Sequence, residues 1–243
     1  MKRNRVLAAF RFWRLCVLTS LLGITQAAGQ QDSTRIHLKV GHVVAPAALT
    51  LASFSVQGKI SRQLNTHITS QYPNFHTQID DYMWAAPSAL TFGLSAAGVR
   101  GKHKLGEQIL LFLLSNAVSG GATQIIKWVA RYPRPNGDEY DAFPSGHTNF
   151  AFTGAVILHE EYGHRSAWYP IGGYTAATAV GGMRLLNNRH WLADVLMGAA
   201  VGIGATKGVY LVYPWAKQKV RKIQKRGISP VTVTRKILIS IRS

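Results

Sequence analysis

The sequence is poor in cysteine and in acidic residues. Its one cysteine, Cys16, excludes an intrachain disulfide framework and a zinc site built on cysteines. Against 28 Lys and Arg stand 10 Asp and Glu, which gives a formal net charge of +18. Such an imbalance draws a chain to an anionic partner, whether a nucleic acid, a phosphorylated ligand or an acidic membrane surface. Charge alone does not choose among these three.

Charged residues are also few overall. They make up 16% of the chain, while apolar residues make up 47%, and this balance excludes a disordered or fibrous protein. The mean hydropathy of +0.03 is nevertheless low for a chain that spans a bilayer throughout. Membrane association therefore has to be argued segment by segment.

The N-terminus has the layout of a secretory signal. Five basic residues between Lys2 and Arg14 precede an apolar run at residues 15–24 and a small-residue stretch at 26–29. We therefore predict that residues 1–28 are a signal peptide cleaved near 27–29. The alternative interpretation is an uncleaved signal anchor or a helix on the membrane surface.

The remaining chain is predicted to be all-α. After an N-terminal helical segment at residues 29–81 come five uncharged runs long enough for helices, at 82–99, 108–126, 142–158, 167–183 and 195–206. They are rich in Gly, Ala, Ser and Thr, which permits close packing in a membrane and equally fits a soluble helical core. Hydropathy leaves these two interpretations open.

The placement of charge favours the membrane. In an antiparallel bundle, the turns at 100–104 and 160–165 and a basic C-terminal tail at 216–243 share one end. The sequence has no acidic residue after Asp194 but many basic ones, which is the bias of a cytoplasmic face. A signal anchor and five further crossings also leave the tail inside. The alternative is a soluble bundle whose tail adsorbs to anionic lipid.

Three polar clusters fall at the opposite end of this predicted bundle. They are a cationic stretch from Lys127 to Arg134, the string Pro-Ser-Gly-His at 144–147, and a third from Arg184 to Asp194. A helix hairpin between the second and third clusters returns the chain to the same end. Taken singly, each cluster fits an ordinary helix end, cap or ion pair. Their conjunction is specific and predicts one site.

The residue types in these clusters suit a phosphate. Lys127, Arg134 and Arg184 provide cations for phosphoryl oxygens. Ser145 and Gly146 begin a helix, whose free N–H groups favour an anion, and His147 adjoins them. His190 would follow a helix start capped by Asn187 or Asn188. There Asp194 can accept a hydrogen bond from its ring and leave the other nitrogen as a nucleophile.

These motifs resemble the type 2 phosphatidic acid phosphatase (PAP2) superfamily, whose pattern is K-x6-RP, PSGH and SR-x5-H-x3-D. The resemblance covers 108–213 and implies a PAP2-type core at 82–215 that needs no metal and no cofactor. It implies that His190 forms a phosphohistidine, that Asp194 orients it, and that His147 is the general acid. The residues that bind phosphate would be Lys127, Arg134, Ser145, Gly146 and Arg184.

The resemblance also implies a substrate class. The sequence is similar to the periplasm-facing bacterial branch that contains lipid A 4'-phosphatases and phosphatidylglycerophosphate phosphatases. We therefore expect an inner-membrane enzyme that hydrolyses a lipid phosphomonoester or diphosphate, such as phosphatidic acid, phosphatidylglycerophosphate, lipid A or undecaprenyl diphosphate. We expect no nucleic acid and no protein partner. The short connection at 135–144 leaves no room for a cap, so a lipid head group could reach the site.

Three alternatives remain at this stage. A vanadate-dependent haloperoxidase would hold vanadate in the same cationic cluster. A catalytically dead lipid-phosphate binder is suggested by Met183, which replaces the serine that usually precedes the third-motif arginine. A nucleic-acid-binding protein is suggested by charge alone, but the basic residues concentrate in the tail and do not alternate with aromatic residues.

Overall fold

The computed structural model describes residues 40–225. Residues 1–39, with the predicted signal segment, and residues 226–243 of the predicted tail lie outside the described residues. Within 40–225 the chain forms eight helices and no strand. They are α1 (Val40–Val56), α2 (Lys59–Gln71), α3 (Asp80–Met83), α4 (Ala86–Ala96), α5 (Leu105–Ala130), α6 (Gly146–Tyr162), α7 (Trp168–Leu186) and α8 (Leu192–Lys225).

The helical bundle confirms the predicted all-α fold, with two differences in where helices end. The run at 82–99 is divided into α3 and α4, because α4 begins beside Pro87, which lacks an N–H and fits the first turn of a helix. At the other end of the chain, α8 continues to Lys225 and takes in the first ten residues of the predicted tail at 216–243.

Fewer helices qualify as membrane spans than the five expected after the signal. By length and composition, the helices able to cross a membrane within 40–225 are α5 and α8, the latter over Leu192–Lys222. The pair α1 and α2 adds a third if it is one span bent by 78°. At 17 and 19 residues, α6 and α7 are short, and their exposed and buried faces carry many small and polar residues. Helix α6 is buried within the bundle, whereas α7 packs one face against α6 and leaves the opposite face exposed.

Helix α6 lies at the centre of the fold. It packs against α4, α5, α7 and α8, and α1 covers the other side of α8. Its middle, from Ala155 to Leu158, has no exposed surface. Two polar residues of this helix bond to α5, since Asn149 and Thr153 both donate to the Ser119 hydroxyl. Packing against four neighbouring helices therefore fixes the position of α6 and of its N-terminus.

Glycines on α8 let that helix approach α6 closely. A Cβ at Gly198 would lie 2.5 Å from the carbonyl oxygen of Ser145, and one at Gly202 would lie 2.5 Å from the carbonyl oxygen of Asn149. Both neighbours are backbone atoms, which cannot rotate away. This contact confirms the close packing expected from the small-residue content, and it sets the spacing between the helix that carries His147 and the helix that follows His190.

Replacing Gly198 by alanine is expected to lower the free energy of unfolding by about 1–3 kcal/mol, because the added methyl group must push α6 away from α8. The measurement is thermal unfolding of the detergent-purified protein. Gly208 on the same helix is the matched control, since a Cβ there meets nothing within 4 Å. Gly208→Ala should be neutral or slightly stabilising, because glycine has a lower intrinsic helix propensity than alanine. Equal melting temperatures for both variants would contradict the close contact.

Candidate active site

The three motifs meet at one end of the bundle. The N–H of Ser145 donates to the carbonyl oxygen of Asp194 at 3.0 Å, which joins the start of α6 to the start of α8. The charges of Arg184, Lys127 and Arg134 all act on the ring of His190. The fold thus brings together residues 127–134, 144–147 and 184–194, as predicted. They meet because the α6–α7 hairpin returns the chain to the same end of the bundle.

His190 lies at the centre of the cluster and is 2% exposed. Its Nδ1 lies 2.8 Å from the carbonyl oxygen of Ala142, which can only accept, so Nδ1 carries the proton. The lone pair therefore resides on Nε2. Burial, followed by the charges of Arg184, Lys127 and Arg134, holds the pKa of His190 well below the ordinary value of 6.5. The ring is neutral at pH 7 and can act as a nucleophile.

Asp194 lies beside this ring as a secondary contact. Its Oδ2 is 3.5 Å from Nδ1 of His190 and accepts a shorter bond, at 2.8 Å, from the N–H of Trp191. The carboxylate is fully buried, and its Oδ1 has no hydrogen-bond partner within residues 40–225. The Ala142 carbonyl thus holds the His190 tautomer more strongly than Asp194 does, while Asp194 lies beside the ring and caps the start of α8.

Lys127 and Arg134 are held by carboxylates from the connection between the first two motifs. Asp141 contacts both cations: its Oδ1 is 2.8 Å from Nε of Arg134, and its Oδ2 is 3.3 Å from Nζ of Lys127. Glu139 adds a second ion pair to Arg134 at 2.8 Å. Burial tends to raise the pKa of Asp141, but Arg134 and Lys127 outweigh it and lower that pKa below 3.8. Asp141 therefore stays ionised and orients both cations.

The start of α6 is a helix N-terminus, the kind of backbone geometry that favours an anion. Ser145 is its N-cap, and its hydroxyl accepts from the N–H and the hydroxyl of Thr148. The N–H of Ser145 is already given to Asp194, so it is not available to a ligand. Gly146, the first residue of the helix, has no intrahelical acceptor for its N–H, and the space where a Cβ would stand is open. Gly146 is therefore the better placed backbone donor of the two.

Arg184, in the last turn of α7, is held by an acidic pair that the sequence analysis did not select. Its NH1 lies 2.6 Å from Oδ2 of Asp80 and 3.3 Å from Oδ1 of Asp81. Asp80 is fully buried and also accepts from Asn187 at 3.0 Å. Nε of Arg184 is buried and has no partner within residues 40–225. This donor remains unused unless a ligand occupies the site.

The expected capping by Asn187 or Asn188 is wrong. Asn187 is the C-cap of α7 and exchanges hydrogen bonds with the backbone of Thr77, at 2.9 Å in each direction. Asn188 adopts a left-handed conformation with φ of 54° and accepts from Asn65 on α2 at 2.6 Å. Both asparagines end a helix, because the chain must reverse before α8 begins at Leu192.

Met183 packs away from the cationic cluster. It is half-buried against the apolar residues Ala151, Ala155, Ala177 and Val180, in the layer between α6 and α7. The usual serine hydroxyl is therefore replaced here by apolar contact area. Nε of Arg184, on the next residue, is the donor that could compensate for the missing hydroxyl.

No group of three or more metal-ligating side chains occurs within residues 40–225. What converges instead is three cationic side chains, a helix N-terminus and two histidines with carboxylate neighbours. Such a set has the charge and the donors that suit a phosphoryl group. The class of protein is therefore a helical membrane protein with a phosphoryl-transfer type of site at one end.

Comparison with known proteins finds relatives in one superfamily. The model of the PAP2 superfamily matches residues 108–218 of this chain. A lipid A 1-phosphatase from Porphyromonas gingivalis is 38% identical over 189 residues, which are 77% of this chain and 42% of that protein. The chain therefore spans less than half the length of this relative.

The fold also resembles a solved structure. This is the crystal structure of a transmembrane PAP2 type phosphatidylglycerolphosphate phosphatase from Bacillus subtilis, which superimposes with a TM-score of 0.50 at 20% identity. The match covers 73% of this chain and 96% of the solved one. At this identity the likeness concerns the fold, and it confirms the predicted membrane-type helical bundle.

Proposed function

We propose that this protein is a phosphatase that removes a phosphate from a membrane lipid through a phosphohistidine, without a metal ion. The observation that carries the proposal is the state of His190. It is buried and neutral, its Nδ1 proton is given to Ala142, and three cationic side chains surround it. The cations supply the positive charge that the phosphoryl oxygens require during transfer.

The chemistry proceeds in two halves. Nε2 of His190 attacks phosphorus, and the bond to the lipid oxygen breaks as His147 protonates that oxygen. A water then attacks the phosphohistidine, the phosphorus–nitrogen bond breaks, and His147 takes back a proton from that water. Lys127, Arg134 and Arg184, together with the N–H of Gly146, hold the phosphoryl oxygens throughout. Inorganic phosphate is released.

A lipid substrate fits the place of the site in the molecule. Lys127 lies in the last turn of α5 and Asp194 in the first turn of α8, so the site lies where two membrane-type helices end. Phosphate groups of lipids lie at this depth of a bilayer. The name of the Porphyromonas gingivalis relative makes the 1-phosphate of lipid A the first candidate. Phosphatidylglycerophosphate, phosphatidic acid and undecaprenyl diphosphate follow.

The orientation of the site is proposed to be periplasmic. At the opposite end of the bundle, Lys102 and Lys207 both pair with Glu160, and Lys217 pairs with Glu107. The last turns of α8 add further basic residues there. Because basic residues concentrate on the cytoplasmic side of bacterial inner-membrane proteins, this end would face the cytoplasm and the catalytic end the periplasm.

The test is phosphate release by the detergent-purified full chain from these four lipids in parallel. We expect release from at least one, with the same rate in the presence of EDTA, since cationic side chains replace a metal ion here. For lipid A, mass spectrometry of the product identifies whether the 1-phosphate or the 4'-phosphate is lost. A rate that collapses in EDTA and returns with added metal would show that the metal-free mechanism is wrong.

Further assays distinguish the possible reasons for an absence of phosphate release. Release of phosphate from none of the lipids, with retained binding of vanadate, would support a binder or a haloperoxidase. Halide oxidation with added vanadate then distinguishes these two. Cardiolipin, whose two phosphates are both diesters, serves as the negative control in every case, because it has no terminal phosphate that cleavage of one bond could release.

A further inference from the structure

A carboxylate from outside the three motifs contacts the predicted general acid. Oδ1 of Asp81 lies 3.0 Å from Nε2 of His147 and 3.3 Å from NH1 of Arg184. The side chain of Asp81 is 51% exposed and that of His147 is 33% exposed, so the pair lies at the mouth of the site. One carboxylate oxygen thus contacts both a phosphate-binding cation and the acid.

The position of Asp81 is fixed by its neighbours. The preceding Asp80 is fully buried and bound to Arg184 and Asn187. The indole Nε1 of Trp84 donates to the carbonyl oxygen of Asp81 at 2.9 Å. Asn187 in turn holds the chain before α3 through two hydrogen bonds to Thr77. Because these bonds fasten α3 to the end of α7, the Asp81 side chain cannot drift far from His147.

We propose that Asp81 is a positioning residue that favours the protonated form of His147 and directs its Nδ1 toward the leaving oxygen of the substrate. The inference rests on the proposed phosphatase function. A carboxylate can only accept, so Nε2 of His147 donates to Asp81. Within residues 40–225 no hydrogen-bond partner is found for Nδ1, which is therefore the nitrogen available to the substrate. Asp81 would act on His147 as a carboxylate acts on a catalytic histidine in a hydrolase triad.

The charges around His147 make such a carboxylate necessary. Burial lowers the pKa of His147 most and the guanidinium of Arg184 lowers it further; Asp81 and Asp80 offset this only in part, so the pKa stays below 6.5. The other packed elements offer no additional anion at this ring. Helix α4 has no titratable side chain, Lys127 on α5 pairs with Asp141, and Asp194 on α8 lies beside His190. Without Asp81, more of His147 would be neutral and unable to protonate a leaving group.

The role of Asp81 spans both halves of the reaction. In the first half, the proton on Nδ1 of His147 passes to the lipid oxygen as that oxygen takes the electron pair of the broken bond to phosphorus. In the second half, the neutral ring takes a proton from the attacking water, and the electron pair of the phosphorus–nitrogen bond returns to His190. The Asp81 carboxylate stabilises the imidazolium form of His147 at the start and at the end.

The test is Asp81→Asn, which keeps the shape and removes the charge. The alkaline limb of kcat/KM for phosphatidic acid should move to lower pH by about one unit, because the imidazolium loses its counter-charge. The direction of this shift follows from the role of His147 as an acid, because activity is lost as the pH rises through the pKa of His147. Ionisation of the substrate is the same for both enzymes and cancels. KM should not rise, because Asp81 also faces Arg184 and repels an incoming phosphate.

The leaving group provides a second readout. At pH 7, kcat/KM for phosphatidic acid, which reports only the first half of the reaction, should fall about tenfold, because its alkoxide must be protonated as it leaves. For p-nitrophenyl phosphate, whose phenolate leaves without a proton, kcat/KM should change by less than about twofold. Asp81→Glu keeps the charge and should retain the wild-type alkaline limb. The matched control is Asp138→Asn, which removes an exposed carboxylate paired with Arg189 at 3.6 Å; it should leave both substrates unaffected.

The outcomes separate this inference from the proposed function. Equal losses on both substrates, or an unshifted pH profile in an active Asp81→Asn enzyme, overturn the role of Asp81 alone. No phosphate release by the wild-type enzyme from any substrate overturns both. A direct measurement guards against a folding defect: NMR titration of His147, assigned with His147→Gln, should give a lower pKa in Asp81→Asn. An unchanged titration overturns the inference.

Discussion

His190→Ala is expected to abolish phosphate release, with a loss of more than about 10⁴-fold in kcat, because no other group within the site can form the covalent intermediate. The structure makes His190 the buried, neutral histidine whose Nδ1 is tied to a backbone carbonyl. His147 cannot substitute, since its Nε2 is engaged with Asp81 at the mouth of the site. The rate is measured with whichever lipid the wild-type enzyme hydrolyses.

Trapping the intermediate makes this prediction sharper. Acid lability and alkali stability distinguish a phosphohistidine from a phosphoserine, so a labelled lipid phosphate should leave alkali-stable label on the wild-type protein and none on His190→Ala. The control is His164→Ala, which removes an exposed histidine just beyond the C-terminal end of α6, opposite the catalytic end. It should keep full activity. Turnover by His190→Ala near the wild-type rate would eliminate the phosphohistidine mechanism.

The convergence of the motifs could be predicted because it depends on helix topology alone. Two helices joined by a short turn must bring the residues before the first and after the second to the same end. Ser145, the N-cap of α6, and Arg184, in the last turn of α7, therefore lie at the same end of the bundle. Their neighbours Gly146 and Met183 lie there too. Helix ends and motif spacing are local properties, and the sequence contains both.

The acidic partners could not be predicted in the same way. Asp80 and Arg184 are separated by 104 positions, and nothing in the local pattern of either residue indicates the other. Asp141 and Glu139 lie close to Arg134 in the sequence, but a solvated loop charge fits that spacing equally well. Their pairing depends on how the loop at 131–145 folds back over the end of α5, which no periodicity encodes.

The capping error has the same origin. Asn187 and Asn188 are good capping residues by type, and a helix does begin a few positions later. In the fold their side chains instead find Thr77 and Asn65, both more than 100 positions away in the chain. The start of α8 is capped by Asp194, whose Oδ2 accepts from the N–H of Trp191. The two asparagine side chains thus bond to residues distant in the sequence, in place of the local capping bonds that the sequence pattern predicts.

A buried carboxylate at the opposite end also escaped the sequence analysis. Glu161 was interpreted as one of the charged residues of a turn, yet it is fully buried. It accepts hydrogen bonds from the N–H and Nδ1 of His103 and from the hydroxyl of Tyr210. These contacts tie the loop before α5 and the middle of α8 to the end of α6. A buried charge with this many partners is a structural clamp, which a one-dimensional pattern does not distinguish from a solvated turn.

Arg184→Ala is expected to have the second largest effect, on activity and on stability together. Activity should fall by about 10³-fold, because a guanidinium whose Nε is buried and unpaired is lost from the phosphate site. The free energy of unfolding should fall by about 3–5 kcal/mol, because the fully buried Asp80 loses its ion-pair partner. Phosphate release and thermal unfolding of the detergent-purified protein measure the two effects separately.

The double variant Arg184→Ala, Asp80→Asn separates the two roles. Removing the charge of Asp80 relieves the cost of an unpaired buried carboxylate, so most of the stability should return, while activity should stay low because the phosphate still lacks its cation. The matched control is Arg189→Ala, whose side chain is 39% exposed and pairs with Asp138 at 3.6 Å; it should change neither quantity by much. If the double variant regained activity along with stability, Arg184 would be a structural residue that merely neutralises Asp80, and the phosphate would be held by Lys127 and Arg134 without it.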